Sequence, residues 1–381
     1  MKIAIYASYY FPHVGGYEKN IHELAKRLVT RGHMVTVLTC DTENTNTSEY
    51  IDGVVIYRLP SWNLLNGTFP VPKFSKQLRE FYKLDFDIIS TQTRFFVLSA
   101  LGALIAKRKK AMHIHTERGT SHSITANLFV SKIAELYDHS IGRWVISSAQ
   151  KNVGVSMAAV NFIKHLKGEN CQVIYNGIDN SIFLPRQSHD VSRITFVGRL
   201  IFAKGIHDLI VAFVQLKRHY KKAMPKAKDI ELIIVGDGNY KKQLKEMADT
   251  SGCREQIKFV GQKTQKEIAE ILANSDIFVN PSYTEGLPTS VMEAAAAGLP
   301  IIATNVGGTN EIIENGVSGI LIKPHKPNEI ANALGYMIEN REVAEKMGAI
   351  AKKLMDNKFN WNLMTRKYEN IMKGETKWTK S

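Results

Sequence analysis

The strongest constraint in this chain is a rhythm: short β-rich runs alternate with amphipathic stretches along most of its length. Lys2–Ser8 (KIAIYAS) reads as a strand. Glu18–Thr30 reads as a helix with Ile21, Leu24, Ala25 and Leu28 on one face, and Met34–Thr39 as the next strand. Strand-like runs follow at Val54–Leu59, Phe86–Ser90, Ala111–Ile114, Val153–Val155 and Gln172–Tyr175, with helices near 73–83 and 94–108. The series then restarts. Arg193–Val197, Glu231–Val235, Ile257–Val260, Ile277–Val279, Ile301–Ala303 and Gly319–Ile322 are strands, with helices near 205–220, 240–251, 265–273 and 290–297. Strands separated by helices build parallel βαβ units with right-handed crossovers. Two successive runs of such units predict an α/β chain of two Rossmann-like domains. The polar, Pro-containing stretch Asn180–Asp190 is the expected break between them.

Ligands of such sheets sit beyond the carboxyl ends of the strands, so motifs just after strands carry the functional reading. Pro12-His13-Val14-Gly15-Gly16 follows the first strand and opens the first helix, where free amides bind anions. Gly198-Arg199-Leu200, then Lys204-Gly205, follows the first strand of the second half. Its two cations, a fork and a point charge, suit a diphosphate. Gly236-Asp237-Gly238 has Lys241 where a dinucleotide fingerprint wants a third glycine, and reads equally well as a plain βα turn.

The segment Pro281–Ala294 is the most informative. Gly286 and Pro288 keep Glu285 in a loop, and Pro288 or Thr289 opens a helix. Glu293, one turn in, suits paired ribose hydroxyls, or completes a capping box with Ser290. His115-Thr116-Glu117-Arg118-Gly119 follows a strand of the first half, where a histidine can orient hydroxyls or relay protons. His115 and Glu117 have no third partner at zinc spacing, so no metal site is expected there.

With 50 Lys+Arg against 36 Asp+Glu, the net charge of +14 favours anionic partners. Three scattered cysteines exclude a disulfide framework and a cysteine zinc site, and fit a reducing cytoplasm. The longest apolar stretch, Phe95–Ala106, is too short to span a bilayer and reads as a buried helix. Trp62–Leu84 mixes aromatics with basic residues. Together with Lys107–Lys110 it reads either as a surface for an anionic membrane or as a solvated basic face. The basic run Lys217–Lys228 reads as solvated surface. Scattered basic residues without a stacking platform or recognition helix argue against nucleic acid.

Taken together, the sequence resembles the family-4 retaining glycosyltransferases. The resemblance rests on Gly15-Gly16, Asn176-Gly177-Ile178-Asp179, Gly198-Arg199-Leu200 with Lys204-Gly205, Gly236-Asp237-Gly238, Phe259-Val260-Gly261, Glu285-x7-Glu293 and Gly307-Gly308, in that order. It implies the GT-B fold: two Rossmann-like domains facing across a deep cleft. Residues 1–180 are then an acceptor-binding domain and 181–358 a nucleotide-sugar domain. Residues 359–381 form a terminal helix that packs back on the first domain, its stripe built from Leu363, Met364, Tyr368 and Ile371.

It also implies site roles. Arg199 and Lys204 hold the donor diphosphate, helped by Gly16 and by amides near Leu287, Pro288 and Thr289. Glu293 takes the ribose, and Val260-Gly261 borders the base. Glu285, with Gly286 beside it, binds the donor sugar. Gly198 and Gly15 shape the loops, and His115 approaches the sugar. Glu117 and Arg118, where the family more often has His-x-Asp, are placed in the acceptor pocket. The implied reaction is metal-independent, cofactor-free, front-side transfer from a UDP- or GDP-sugar to a sugar or lipid-linked hydroxyl acceptor in cell-surface polysaccharide or glycolipid assembly. The expected location is cytoplasmic, peripheral on the inner face of the membrane. A nucleotide-sugar epimerase of the same fold and an NAD-dependent oxidoreductase are the alternatives. No G-x-G-x-x-G follows either first strand, which argues against the oxidoreductase.

Overall fold

Ile3, Ala4, Ile5 and Tyr6 are all buried, a run that only a strand covered on both faces can carry. In the computed structural model this strand, β1 (Lys2–Tyr6), is central to its sheet. The structure describes residues 1–13, 15–42, 48–64, 69–122, 128–184, 192–223 and 230–374. It divides into unit 1, Met1–Gly177 with Trp361–Ser381, and unit 2, Ile178–Asn360. The division falls at Gly177/Ile178, ahead of the aperiodic Asn180–Asp190, of which residues 185–190 lie outside the described residues. Residues 224–228 of the basic run and 65–68 of the aromatic segment also lie outside them.

In unit 1, the remaining strands are β2 (Met34–Asp41), β3 (Ser48–Ile51), β4 (Val54–Asn63), β5 (Phe69–Pro72), β6 (Ile88–Gln92), β7 (Met112–Glu117), β8 (Lys151–Gly154) and β9 (Cys171–Val173). The order is β3-β4-β2-β1-β6-β7-β8-β9, with β5 on β4. Only β3 and β5 run antiparallel. The helices are α1 (Gly16–Thr30), α2 (Lys76–Tyr82), α3 (Val97–Lys109), α4 (Leu128–Tyr137), α5 (Arg143–Ser148) and α6 (Met157–His165). A π-helical turn, Asp138–Gly142, joins α4 to α5. The expected apolar helix is α3, with Leu98, Ala103, Ile105 and Ala106 buried.

Unit 2 holds β10 (Ser192–Val197), β11 (Ile230–Val235), β12 (Ile257–Gly261), β13 (Ile277–Asn280), β14 (Ile301–Thr304) and β15 (Ile320–Ile322). Its helices are α7 (Ile206–Ala223), α8 (Lys241–Thr250), α9 (Gln265–Ala273), α10 (Thr289–Ala296), α11 (Pro327–Glu339) and α12 (Arg341–Lys358). The strand order β12-β11-β10-β13-β14-β15 is wholly parallel and reverses direction at β10/β13. That reversal is the switch point where loops diverge and open a crevice. In unit 1 the equivalent reversal lies at β1/β6.

The last helix, α13 (Trp361–Met372), belongs to unit 1. Trp361, Met364, Tyr368, Ile371 and Met372 join Ile21, Leu24 and Leu28 of α1 in one core with Ile3 and Ile5. Leu363, expected in the stripe, is only half-buried, and Trp361 takes its place. Each such side chain contributes about 1.5–3 kcal/mol by leaving water. Glu369 adds contacts to His33 (3.0 Å) and Arg31 (2.7 Å).

Candidate functional site

In unit 2, the loops after β10 and β13 meet. Lys204 ends a single 3-10 turn (Phe202–Lys204), and Gly205 follows in the left-handed region at φ +62°. A Cβ on Gly205 would stand 2.1 Å from the Pro281 carbonyl oxygen, so only glycine lets the two loops touch. The Tyr283 N–H donates to the Ala203 carbonyl at 2.8 Å and locks the approach.

This contact sets Lys204 Nζ 2.6 Å from Glu285 Oε1. Asn280 Nδ2 donates to the same oxygen at 3.3 Å, and Ser282 Oγ donates to Asn280 Oδ1 at 3.0 Å. Burial raises the Glu285 carboxyl, but Lys204, Ser282 and Asn280 outweigh it and hold it below the usual range. Glu285 is therefore an ionised acceptor beside a cation, as its loop position predicts.

Arg199 is exposed, and among the described residues its guanidinium makes no hydrogen bond or ion pair. Its loop is braced from β11. The Leu200 N–H donates to the Asp237 carbonyl (2.8 Å), and the Tyr240 N–H donates to the Leu200 carbonyl (2.9 Å). Cβ atoms at Gly236 and Gly238 would collide with the Gly198 and Leu200 carbonyls. Gly236-x-Gly238 thus serves loop packing, the plain-turn reading of that motif. The β12 end is tied in as well, since the Gly236 N–H donates to the Gly261 carbonyl at 2.8 Å, next to Val260.

The helix after Glu285 begins at Thr289, with Pro288 as cap residue and no capping side chain. Ser290 lies inside the helix, so the Ser290–Glu293 capping box does not form, and Glu293 stands one turn in from the helix start, 6% exposed. Leu287 is buried, and the Gly308 N–H donates to the Gly286 carbonyl at 2.9 Å, fixing the loop from β14. The uncapped amides of α10 supply the positive end of its dipole. An exposed Arg, a Lys paired to a carboxylate and an uncapped helix start all follow the two strands of the switch point. Such a set can hold a polyanion with attached hydroxyls.

Unit 1 corrects part of the expectation. β7 runs through Glu117, so His115, Thr116 and Glu117 lie in the strand and not in a loop after it. All three are 0% exposed. The His115 ring nitrogens face Thr91 Oγ1 (2.9 Å) and Glu117 Oε2 (3.4 Å). Glu117 pairs with Arg94 Nη1 at 3.2 Å and accepts the N–H groups of Arg94, Arg118 and Gly119. Burial raises its carboxyl, but Arg94, His115 and the Gly119 N–H bring it down to about 2. Both side chains are buried and held by these partners, and a direct role for either at a sugar stays a proposal.

Arg118 is half-buried. Its fork spans Gln92 Oε1 (3.3 and 3.2 Å) and Asn176 Oδ1 (3.0 Å), and its guanidinium lies over the Tyr17 ring. Gly15 caps α1, and its missing side chain leaves room for Glu18 Oε2. Glu18 is buried and pairs with His13 Nδ1 at 2.9 Å. Gly16 is the first residue of α1.

Sequence reasoning missed Glu18, Gln92, Arg94, Asn280 and Ser282. Gln92 and Arg94 lie at the end of β6 and just past it, on the switch-point side of unit 1, and Asn280 ends β13. The strand-end rule that found Arg199 could have found them.

Comparison with known proteins extends this picture. The family model described as Glycosyltransferase Family 4 matches residues 14–181, and that described as Glycosyl transferases group 1 matches residues 179–354. An uncharacterized glycosyltransferase of Methanocaldococcus jannaschii is 30% identical, over 97% of this chain and 98% of that one. Among solved structures, sucrose-phosphate synthase from Thermosynechococcus elongatus has a TM-score of 0.80 at 19% identity, covering 98% of each chain. Anabaena HepE in complex with UDP-glucose has a TM-score of 0.76 at 19% identity, covering 98% of this chain and 100% of that one. These neighbours share the GT-B fold. Among the described residues, no helix is long and apolar enough to cross a membrane.

Proposed function

The chain belongs to the family-4 glycosyltransferases of GT-B fold, and on that premise we propose that it is a retaining hexosyltransferase using a nucleotide-diphosphate sugar. The observation that carries the proposal is the Lys204–Glu285 pair set in the switch-point crevice of unit 2, beside an exposed Arg199 with no partner among the described residues. In this reading Arg199 and the α10 amides receive the diphosphate. Lys204 divides its charge between the β-phosphate and Glu285, while Glu285 accepts hydroxyls of the sugar. Glu293 takes the ribose, and the strand end at Val260-Gly261 borders the base.

Two cations can stabilise the departing diphosphate, the task a divalent ion performs elsewhere. The acceptor hydroxyl then attacks the face from which the nucleotide departs, and a diphosphate oxygen takes its proton, so configuration is retained. The donor base is uridine or guanosine: a neighbour is solved with UDP-glucose, and a relative of Mycobacterium tuberculosis is named as GDP-mannose-dependent.

The acceptor is assigned to unit 1, where half-buried Arg118, held by Gln92 and Asn176, stands just past the strand that carries His115 and Glu117. The aromatic segment offers a membrane-facing element. Trp62 and Phe74 are exposed, with Lys73 and Arg79 over their rings. Sedimentation with anionic liposomes at low salt tests that part, and protein that stays in the supernatant refutes it.

The central test is a thermal-shift panel with UDP, GDP, ADP and NAD in chelator, followed by transfer from the matching nucleotide sugar. Stabilisation by UDP or GDP, lost in Arg199→Ala and Glu293→Gln, with a product of retained anomeric configuration, is the expected result. Binding without transfer would favour the epimerase. Stabilisation by NAD alone would overturn the reading.

A further inference from the structure

Unit 1 gathers three imidazoles from separate elements. His122 lies five residues past β7, His139 is the second residue of the π turn, and His165 is the last residue of α6. One ligand nitrogen from each lies within 4.8 Å of the others. Ring centroids are 5.1 Å apart for His122 and His139, 5.6 Å for His139 and His165, and 5.9 Å for His122 and His165. His139 and His165 are exposed, and neither makes a hydrogen bond or ion pair among the described residues.

His122 is held differently. Its Nδ1 lies 2.8 Å from Asp138 Oδ2, and Asp138 is 0% exposed. A carboxylate partner selects the Nδ1–H tautomer and leaves the Nε2 lone pair free for a ligand. The π turn makes this possible. It directs Asp138 inward and the adjacent His139 outward, a local widening of the helix that recurs at functional sites. The Phe162 ring packs on both His122 and His165 and floors the cluster.

We propose that His122, His139 and His165 form a three-histidine site for one divalent transition ion of the zinc class, with Asp138 orienting His122 and water completing the coordination. Imidazole nitrogens suit Zn²⁺, Cu²⁺ or Ni²⁺ and not Mg²⁺ or Ca²⁺. Nitrogens around one zinc ion at 2.0–2.1 Å stand about 3.4 Å apart, which rotation of the two exposed rings can reach. The ion would clamp the loop at His122 to the π turn and to the end of α6. Asp138 also accepts from Arg94 Nη2 at 2.7 Å, and Arg94 pairs with Glu117, so the clamp joins the same buried network that orients His115. The site lies in unit 1 and uses none of the donor-binding residues proposed in unit 2, so it stands whether or not the proposed reaction is correct.

The test uses tag-free full chain stripped with chelator and titrated with Zn²⁺ by calorimetry, and with Co²⁺ for its visible absorption. One ion per chain is expected, together with a raised unfolding midpoint. His139→Gln and His165→Gln, both at exposed positions, should each weaken Zn²⁺ at least tenfold, and the double variant should abolish the midpoint shift. The proposal is overturned if the stripped wild type takes up no Zn²⁺, if the variants bind it as tightly as wild type, or if Mg²⁺ competes on equal terms.

Discussion

Replacing Gly205 by alanine tests how the donor crevice is assembled. Two costs are readable from the structure. At φ +62° an L-residue loses about 1–2 kcal/mol. The new Cβ, 2.1 Å from the Pro281 carbonyl oxygen and 3.1 Å from the Tyr283 ring, forces the two loops apart, a strain worth about 1–3 kcal/mol. The smaller unfolded ensemble of alanine offsets about 0.4–1 kcal/mol. Gly252 isolates the first cost, because it sits at φ +75° with nothing within 4 Å of its Cβ position.

Gly252→Ala should therefore lose about 1 kcal/mol and Gly205→Ala about 2–4 kcal/mol. For a unit of this size that corresponds to about 2–4 °C and about 4–16 °C in the midpoint of its unfolding transition, read by scanning calorimetry. Gly205→Ala should also weaken nucleotide binding, since the loop it displaces carries Lys204, whereas Gly252→Ala should not. Equal midpoint shifts in the two variants, or unaltered nucleotide affinity in Gly205→Ala, would refute the claim that this contact positions Lys204.

Three further outcomes are expected. Arg199→Ala should leave the ligand-free midpoint unchanged while weakening nucleotide binding roughly 10–100-fold, the value of one charge-assisted contact, as measured by titration calorimetry. Arg94→Met should cost about 3–5 kcal/mol in urea unfolding, because it strands the Glu117 and Asp138 carboxylates in the interior. Glu117 sits at about 2 against an ordinary 4.5, so its folded-state value is depressed. Its stabilisation, on the order of 3 kcal/mol, is complete above the ordinary value and disappears as pH falls toward 2. The stability gap between wild type and Glu117→Gln should be flat above pH 4.5 and narrow below it, as followed by urea midpoints at each pH.

The alternation of strands and helices made both sheets legible, because parallel strands buried on two faces leave near-continuous apolar runs such as Ile3–Tyr6. Lys204, Glu285 and Glu293 were legible because glycine and proline mark where strands end and a helix begins. The error at His115–Glu117 has an opposite cause. Three polar residues in succession resemble a loop, yet β7 carries them inside because Thr91, Arg94 and three backbone N–H groups neutralise them. Thr91 and Arg94 come from β6 and the turn after it, at a distance in sequence that no local pattern reports. The helices α4, α5, α6, α11 and α12 were not anticipated. The polar stretches at their ends hid the periodicity, although Ile330, Leu334 and Met337 on α11 carry it plainly.

The placement of α13 has a bearing on how the protein is made. Unit 1 is interrupted in sequence by all of unit 2, and its core stays open until Trp361–Met372 has been synthesised. Unit 2 is complete by then, and its two ends are already joined by the Ile178–Asn360 bridge and by the Ile178 N–H donating to the Phe359 carbonyl. Closing an unstructured loop of about 180 residues would cost roughly 4–5 kcal/mol in chain entropy. A finished unit 2 removes that cost in advance, so the final helix meets its groove as a near neighbour. The order of emergence from the ribosome thus matches the order in which the two cores can close, and truncation before Trp361 should leave unit 2 folded while unit 1 lacks a wall.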